Sequence, residues 1–371
     1  MEQTRAEYLG HVKSVVVKLG TQLLADVQKR LDAAFLSRIA QQVQTLRERG
    51  IQVTIVSSGA IGAGLRQLNL ARRPTDLGML QAVAAVGQPQ LMAAWDTAFA
   101  PHGLNVAQLL LTREDIDHRT RFLNVRNTIN SLHAMNVVPI VNENDTISTN
   151  EIIRITFGDN DILAGLVAHA TQADLLVLLT VVDGLLDGNH KSVRVVPNLH
   201  EAHGLVRKEK SAMGKGGMDS KLEAARMVTG SGSPMVVANG RDENVLVRLI
   251  DGDELGTLFL PSHEARPSRV RWIGALRPKG HLMVDAGAIV ALAEKHKSLL
   301  PAGITSVAGE FEQGDCVGIQ SPSGELIGRG LCNYDSLTLR KVIGKKSAEV
   351  RAMLKEAAYD EVVHRDNLVV G

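Results

Sequence analysis

A chain of 371 residues exceeds one ordinary domain, and 41 Lys and Arg against 40 Asp and Glu leave a net charge of +1, so no global field directs it to nucleic acid or a membrane. Apolar residues make up 44% and aromatic ones 3%, which leaves the core to Val, Leu, Ile and Ala and suits a parallel sheet buried on both faces. Two cysteines, Cys316 and Cys332, argue against a disulfide framework. The first residues form no apolar signal, and the longest apolar run, Leu175 to Val182, is too short to span a bilayer, so a cytoplasmic protein is expected.

Ser14 to Lys18 is a continuous β-branched run that ends in a lysine, and Gly20 beyond it lets backbone approach a ligand closely. Asp32 then precedes Phe35, Leu36, Ile39, Val43 and Leu46 at helical spacing, with Gly50 as the stop. Ile51 to Val56 is the next strand, and Ser57-Ser58-Gly59-Ala60 leads from it into a helix. That junction offers backbone N–H groups and a positive dipole end to an anion, although a plain serine N-cap explains the same residues. Pro74-Thr75-Asp76 opens a long helical region to Ala100, interrupted by Gly87-Gln88-Pro89. A strand from Val106 to Leu111 and a helix from Arg119 to Asn136 follow.

The chain is organised around residues 137–161. Val137 to Val141 reads as a short buried strand, and Asn142, Glu143, Asn144 and Asp145 follow at its carboxyl end, the edge of a parallel sheet where ligands bind. Gly158-Asp159-Asn160-Asp161 then opens a helical pattern. Either polar knot alone is also good turn and N-cap chemistry. Leu175 to Thr180 is one more buried strand. The run G-K-G-G-M-D-S-K, Gly214 to Lys221, places glycines and a lysine just ahead of a helix. Phosphate needs such backbone donors and a mobile cation; a flexible surface loop is the alternative. Pro234 to Ala238 and a short helix, Asn244 to Ile250, close the domain near Leu260.

Composition changes there. Ser262 to Arg269 reads as a linker, and beyond it short segments alternate with glycine turns, with a helix after Asp285: a mainly β signature. Five ligand-type junctions therefore belong to the first domain: Lys18 to Gly20, Ser58-Gly59, Asn142 to Asp145, Gly158 to Asp161, and Gly214 to Lys221. Two lysines, glycine-rich backbone and several Asp and Asn suit phosphoryl transfer. No Cys/His metal cluster and no nucleophile elbow competes with it.

The segments V-V-V-K-L-G-T, V-S-S-G-A-I, V-A-A-V-G-Q, L-L-L-T-R, R-F-L-N-V-R-N-T, V-N-E-N-D, F-G-D-N-D, G-K-G-G-M-D-S-K-L and G-T-L-F together resemble the glutamate kinases of the amino-acid kinase family, over residues 14 to about 260. The tail segments S-L-L-P-A-G-I, G-E-F-E-Q-G-D and V-H-R-D resemble an attached PUA domain. The resemblance implies an α/β fold, an open, mostly parallel sheet sandwiched between helices, then a small mainly β PUA-like barrel. It implies a catalytic domain over 1–261, a linker over 262–275 and the PUA-like domain over 276–371. The implied activity is ATP-dependent phosphorylation of the γ-carboxylate of L-glutamate, the first step towards proline. It also implies Mg²⁺ as MgATP, feedback inhibition by proline, and a homo-oligomer built on the kinase domain.

Site residues carry over from the same resemblance. Lys18 and Lys221 flank the transferring group and Asp161 holds them, making these three the candidate catalytic set. Ser58, Gly59, Asn142, Asp145 and Asn160 match the glutamate site, with Asp145 as partner of the substrate ammonium. Lys18, Gly20, Thr180, Val181 and the loop Lys215, Gly216, Gly217, Met218, Asp219, Ser220 and Lys221 match the ATP site. Val181 departs from the pattern, since many relatives have Asp there. Kinases of N-acetylglutamate or aspartate are the nearest rivals. RNA binding through the tail is the minor alternative, because from Arg271 onward 13 Lys and Arg face 12 Asp and Glu, which is no basic footprint.

Overall fold

Strands of Val, Ile and Leu without polar alternation need cover on both faces. The computed structural model describes residues 5–26, 28, 30–147, 160–187, 191–197, 199, 217–261, 273–274, 276–354 and 359–370. The apolar runs form the middle of an eight-stranded sheet: β1 (Ser14–Leu19), β2 (Gln52–Ser57), β3 (Val106–Leu111), β4 (Val138–Glu143), β5 (Leu175–Thr180), β6 (Val195–Val196), β7 (Met235–Asn239) and β8 (Thr257–Phe259). Their order is β3-β4-β2-β1-β5-β7-β8-β6. From β3 to β7 every pairing is parallel; β8 runs antiparallel to β7 and pairs in parallel with β6. From β1 the chain builds to one side through β2, and later to the other through β5 and β7. The order therefore reverses at the centre, where an open α/β sheet leaves a crevice at its carboxyl edge.

Alternation along β1 decides where its lysine goes. Val15, Val17 and Leu19 face a core shared with Phe35, Ile39 and Val43 of helix Ala33–Glu48 and with Leu91, Trp95 and Phe99 of helix Leu77–Phe99. Lys18 lies on the opposite face, towards helix Asp161–Thr171, and is only 1% exposed. Helix Ala33–Glu48 begins as its sequence suggests, with the Asp32 carboxylate accepting from Phe35 N at 2.9 Å.

The helix Leu77–Phe99 is unbroken, with Pro89 inside it, which corrects the interruption expected at Gly87-Gln88-Pro89. Gly87 serves a contact instead of a break. A Cβ there would lie 1.8 Å from Ala60 O and 2.3 Å from Gly64 N, so only glycine lets helix Ala60–Gln67 lie this close. Pro89 removes one backbone donor, but the helix buries Leu80, Val83, Leu91, Trp95 and Phe99 around it. Short β6 and β8 carried too little pattern to be read from sequence; β8 lies within the G-T-L-F segment.

Contacts divide the chain into two compact units, Met1–Ala265 and Arg266–Gly371. The second has a five-stranded sheet of β9 (Gly280–Val284), β10 (Ile304–Gly309), β11 (Cys316–Gln320), β12 (Leu326–Leu331) and β13 (Leu368–Val370), ordered β10-β9-β11-β12-β13. Its own core gathers Leu282, Ile304, Val317, Ile319, Leu339 and Val363. The expected helix after Asp285 is Ala286–Ala293, capped by the Asp285 carboxylate. Most of the linker expected over 262–275 lies outside the described residues.

Candidate active site

Four parallel strands end at one edge; three deliver a junction singled out in the sequence, and the fourth delivers an expected nucleotide position. β1 ends in Lys18 and Leu19, β2 leads to Ser58, β4 to Asp145, and β5 ends at Thr180. Helix Asp161–Thr171 starts beneath them, so its first residue meets the side chain of Lys18 from the sheet.

Asp161 is fully buried and its carboxylate is shared. Lys18 Nζ lies 2.8 Å from Oδ1, Lys221 Nζ 2.9 Å from Oδ2, and the Ser220 hydroxyl donates to Oδ2 at 2.9 Å. Burial alone would raise this carboxyl, but the charges of Lys18 and Lys221, with their hydrogen bonds, hold it below the usual carboxylate range. One carboxylate thus serves two ammoniums in a nearly dry position: Lys18 is 1% and Lys221 7% exposed. Both oxygens are occupied, so Asp161 positions the lysines and is not placed to take a proton.

Beside this set lies a cavity of about 270 Å³. Ser58, Gly59, Asn142, Asp145 and Asn160 all line it, so the five positions expected to meet the substrate come together. The link between cavity and lysines is one chain step, Asn160 to Asp161. The Asn160 amide does not cap its helix; it donates to Asn142 Oδ1 at 2.8 Å and to Ser57 O at 3.1 Å. Asn142 in turn donates to Gln88 Oε1 at 2.8 Å, and Trp95 Nε1 donates to Ser57 Oγ at 3.0 Å. This buried amide chain ties β2, β4 and two helices, fixing the floor of the cavity. Gly59 sits at φ 112° ahead of helix Ala60–Gln67, a backbone shape that side chains resist, and this turns Ser58 towards the cavity.

Asp145 is half-buried, and its carboxyl is pushed up to about 7, first by burial and then by the charge of Glu143, with Arg73 pulling the other way. Glu143, Arg73 and Thr21 also line the cavity and were missed, as were Gln88 and Trp95 in the amide chain. Glu143 stood in the quoted polar run, and a polar Gln88 in an apolar helix was a readable anomaly. Arg73 had no signal except its place just before a proline.

The expected nucleotide positions are only partly described. The Gly20 amide donates to Leu179 O at 3.2 Å, and a Cβ on Gly20 would stand 4.0 Å from Lys18 Nζ, so this backbone borders the ammonium. Thr180 O accepts from Gly240 N at 2.8 Å, and Val181 beyond it is 37% exposed. Gly217 opens helix Gly217–Thr229, with Met218 and Asp219 in its first turn before Ser220 and Lys221. Lys215 and Gly216, with Gly214, Gly158 and Asp159, lie outside the described residues.

Residues 13–239 match the amino acid kinase family, which spans more than half of the chain. The chain belongs to the amino acid kinase family. Residues 280–354 of this kinase match the PUA domain. It is 42% identical over 366 residues to "Glutamate 5-kinase" of Pseudomonas putida, covering 96% of this chain and 98% of that one. It is also 42% identical over 374 residues to "Glutamate 5-kinase" of Geobacter sulfurreducens, covering 99% of this chain and 100% of that one. Relatedness thus runs through both units. No helix among the described residues is long and apolar enough to cross a membrane.

Proposed function

We propose that this kinase transfers the γ-phosphoryl group of ATP to the γ-carboxylate of L-glutamate, giving L-glutamyl 5-phosphate, the first step of proline biosynthesis. The carrying observation is the buried Asp161 carboxylate shared by Lys18 and Lys221 beside a cavity sized for an amino acid. A glutamate side chain ionises near ~4.3, so at neutral pH it is already nucleophilic and needs no general base. The difficulty is bringing it onto a polyanion. A γ-carboxylate oxygen forms a bond to phosphorus as the bond to the ADP oxygen breaks. Lys18 and Lys221 offset the negative charge along that path, and Ser220 and Asp161 keep both ammoniums in place.

The substrate's ammonium pairs with Asp145, while Ser58, the Gly59 backbone, Asn142 and Asn160 shape the rest of the cavity. On the nucleotide side we assign Gly20, Thr180, Val181 and the segment Lys215 to Lys221. The exposure of Val181 supports a backbone contact there. Among the described residues no group of three or more His, Cys, Asp or Glu forms a metal site. The groups that face phosphate are cationic, which fits Mg²⁺ carried on the ATP oxygens, where it would neutralise phosphate charge.

Proline has an α-ammonium and α-carboxylate but no γ-carboxylate, so it can fill the cavity without offering the lysines an acceptor; this supports its assignment as inhibitor. Exposed Leu68, Leu70 and Met79, around the turn between two packed helices, support a homo-oligomer. Buried free Cys316 and Cys332 support a reducing, cytoplasmic setting. The domain limits proposed are 1–261 and 276–371, joined by the linker.

The deciding assay supplies ATP with glutamate, N-acetylglutamate or aspartate and traps the acyl phosphate with hydroxylamine. Hydroxamate from glutamate alone is expected. Preference for N-acetylglutamate or aspartate would overturn the assignment of the acceptor.

A further inference from the structure

Among the described residues, the cavity beside the lysines is lined by three charged side chains: Glu143 and Asp145 from the end of β4, and Arg73. Arg73 comes from the connection between helices Ala60–Gln67 and Leu77–Phe99, which is held at both ends. At one end Leu70 N donates to Leu65 O at 2.8 Å, and at the other the Asp76 carboxylate accepts from Met79 N at 2.8 Å. Pro74 restricts the backbone of Arg73 to extended shapes, and the close Gly64 and Gly87 contacts fix the two helices against each other. Arg73 is therefore presented from a braced loop to the cavity that Glu143 and Asp145 also line, close enough for its charge to act on the Asp145 carboxyl.

A free α-amino acid carries an ammonium and a carboxylate on one carbon, and its recognition needs opposite charges across a short gap. The lysines beyond Asn160 are directed to the side-chain carboxylate and phosphate. Among the described residues, Arg73 is the cation that lines the cavity itself. A planar guanidinium also suits a carboxylate better than a point charge does, because two parallel N–H groups can meet two oxygens.

We propose that Arg73 recognises the α-carboxylate of the amino-acid substrate, with Asp145 taking the α-ammonium, so that the two together set specificity for a free amino acid. This rests on the carboxylate-kinase reading of the same cavity. It assigns to the loop before the long helix a role that no motif in that loop announces.

The test compares wild type, Arg73→Gln and Arg73→Lys on two acceptors by hydroxylamine trapping. One is L-glutamate; the other is its α-carboxamide, which keeps the ammonium and the γ-carboxylate. Wild type is expected to prefer glutamate. In Arg73→Gln, KM for glutamate should rise by about 10- to 100-fold, the scale of a lost charge-assisted hydrogen bond. The α-carboxamide and the KM for ATP should change little, so the preference collapses, and Arg73→Lys should recover part of it. Equal losses on both acceptors would make Arg73 merely structural and overturn the proposal, as would an unchanged glutamate KM in a folded variant. Wild type that traps no hydroxamate from glutamate would instead sink the kinase reading itself.

Discussion

The two units are built on the same apolar logic but differ in what they bury. The first places Lys18, Asp161 and Lys221 inside, with Asn142, Asn160, Gln88 and Ser220 around them. In the second, the buried polar side chains among the described residues are Ser321 and Ser336, with no buried charge. An apolar replacement of a buried ion cluster is often as stable or more stable, so stability does not account for the cluster. The proposed phosphoryl transfer gives the unit that carries it a chemical use for it, at the edge where the sheet order reverses. Such a local departure from an apolar interior is what a functional site looks like.

The sharpest way to break that contrast is to remove the shared carboxylate. Asp161→Ala leaves two ammoniums buried together, which should cost about 3–5 kcal/mol of stability and abolish detectable turnover. Lys18→Ala and Lys221→Ala should each cut kcat by about 10²-fold or more, with smaller changes in the glutamate KM, because charge stabilisation is realised mainly in the transition state. Urea unfolding beside hydroxamate trapping reads both effects. Near-normal turnover in either lysine variant would take that residue out of the mechanism.

Gly87→Ala comes next. The added carbon meets backbone at 1.8 Å and 2.3 Å, so helix Ala60–Gln67 must move, and with it the Ser58-Gly59 junction. A loss of about 1–3 kcal/mol or more is expected, with the KM for glutamate rising more than that for ATP. Gly62→Ala is the matched control for stability: its Cβ meets nothing within 4 Å, so helix propensity should leave stability unchanged or raise it by up to ~1 kcal/mol. Thermal unfolding that ranked the two variants the other way would show that the helix contact is not tight.

How much of this was legible follows from what sequence patterns carry. Continuous runs such as Ser14 to Lys18 and Leu175 to Thr180 announce strands buried on both faces, and a lysine closing the first is too costly to be accidental. Helix caps such as Asp32 and Asp285 are local and were readable. The chain Gln88-Asn142-Asn160 was not, because it joins residues far apart in sequence through side chains that obey no period. Pro89 misled for a similar reason: local propensity argues for a break, and tertiary burial overrides it. Arg73 reaches the cavity through a loop whose path only the packed helices define.

Asp145 gives a smaller, pH-dependent effect. Its folded carboxyl lies near 7, above its ordinary value, because burial and Glu143 disfavour the charge more than Arg73 favours it. Below that pH the group is neutral and cannot pair an ammonium; above it the charge is present. The kcat/KM for glutamate should therefore climb as pH rises through about 7. In Asp145→Asn that limb should vanish, and the glutamate KM at pH above the transition should rise by about 10- to 150-fold, with less loss on the acid side. The stability sign is opposite. A raised carboxyl destabilises the fold progressively from its unfolded pKa of ~3.9 up to the folded one, so Asp145→Asn should gain stability at neutral pH while losing affinity. Glutamate KM values indifferent to the substitution would move this loop out of the substrate site.

The smallest effect is expected from removing the second unit. Among the described residues, its buried apolar side chains run from Ile273 onward, those of the first unit end at Phe259 with Leu260 packed against them, and every group assigned to the chemistry precedes Pro261. A chain ending at Pro261 should therefore keep its own cooperative unfolding transition and a kcat for glutamate within about twofold of the full chain, since units with separate cores fold separately. Circular dichroism with hydroxamate trapping on the fragment measures both. A folded fragment without turnover would mean that the second unit acts on the lysine cluster or the cavity, and the contrast between a chemical unit and an ordinary apolar one would fail. An unfolded fragment would place the dependence in stability instead, and the division at Ala265 would then mark a boundary of contacts but not of folding.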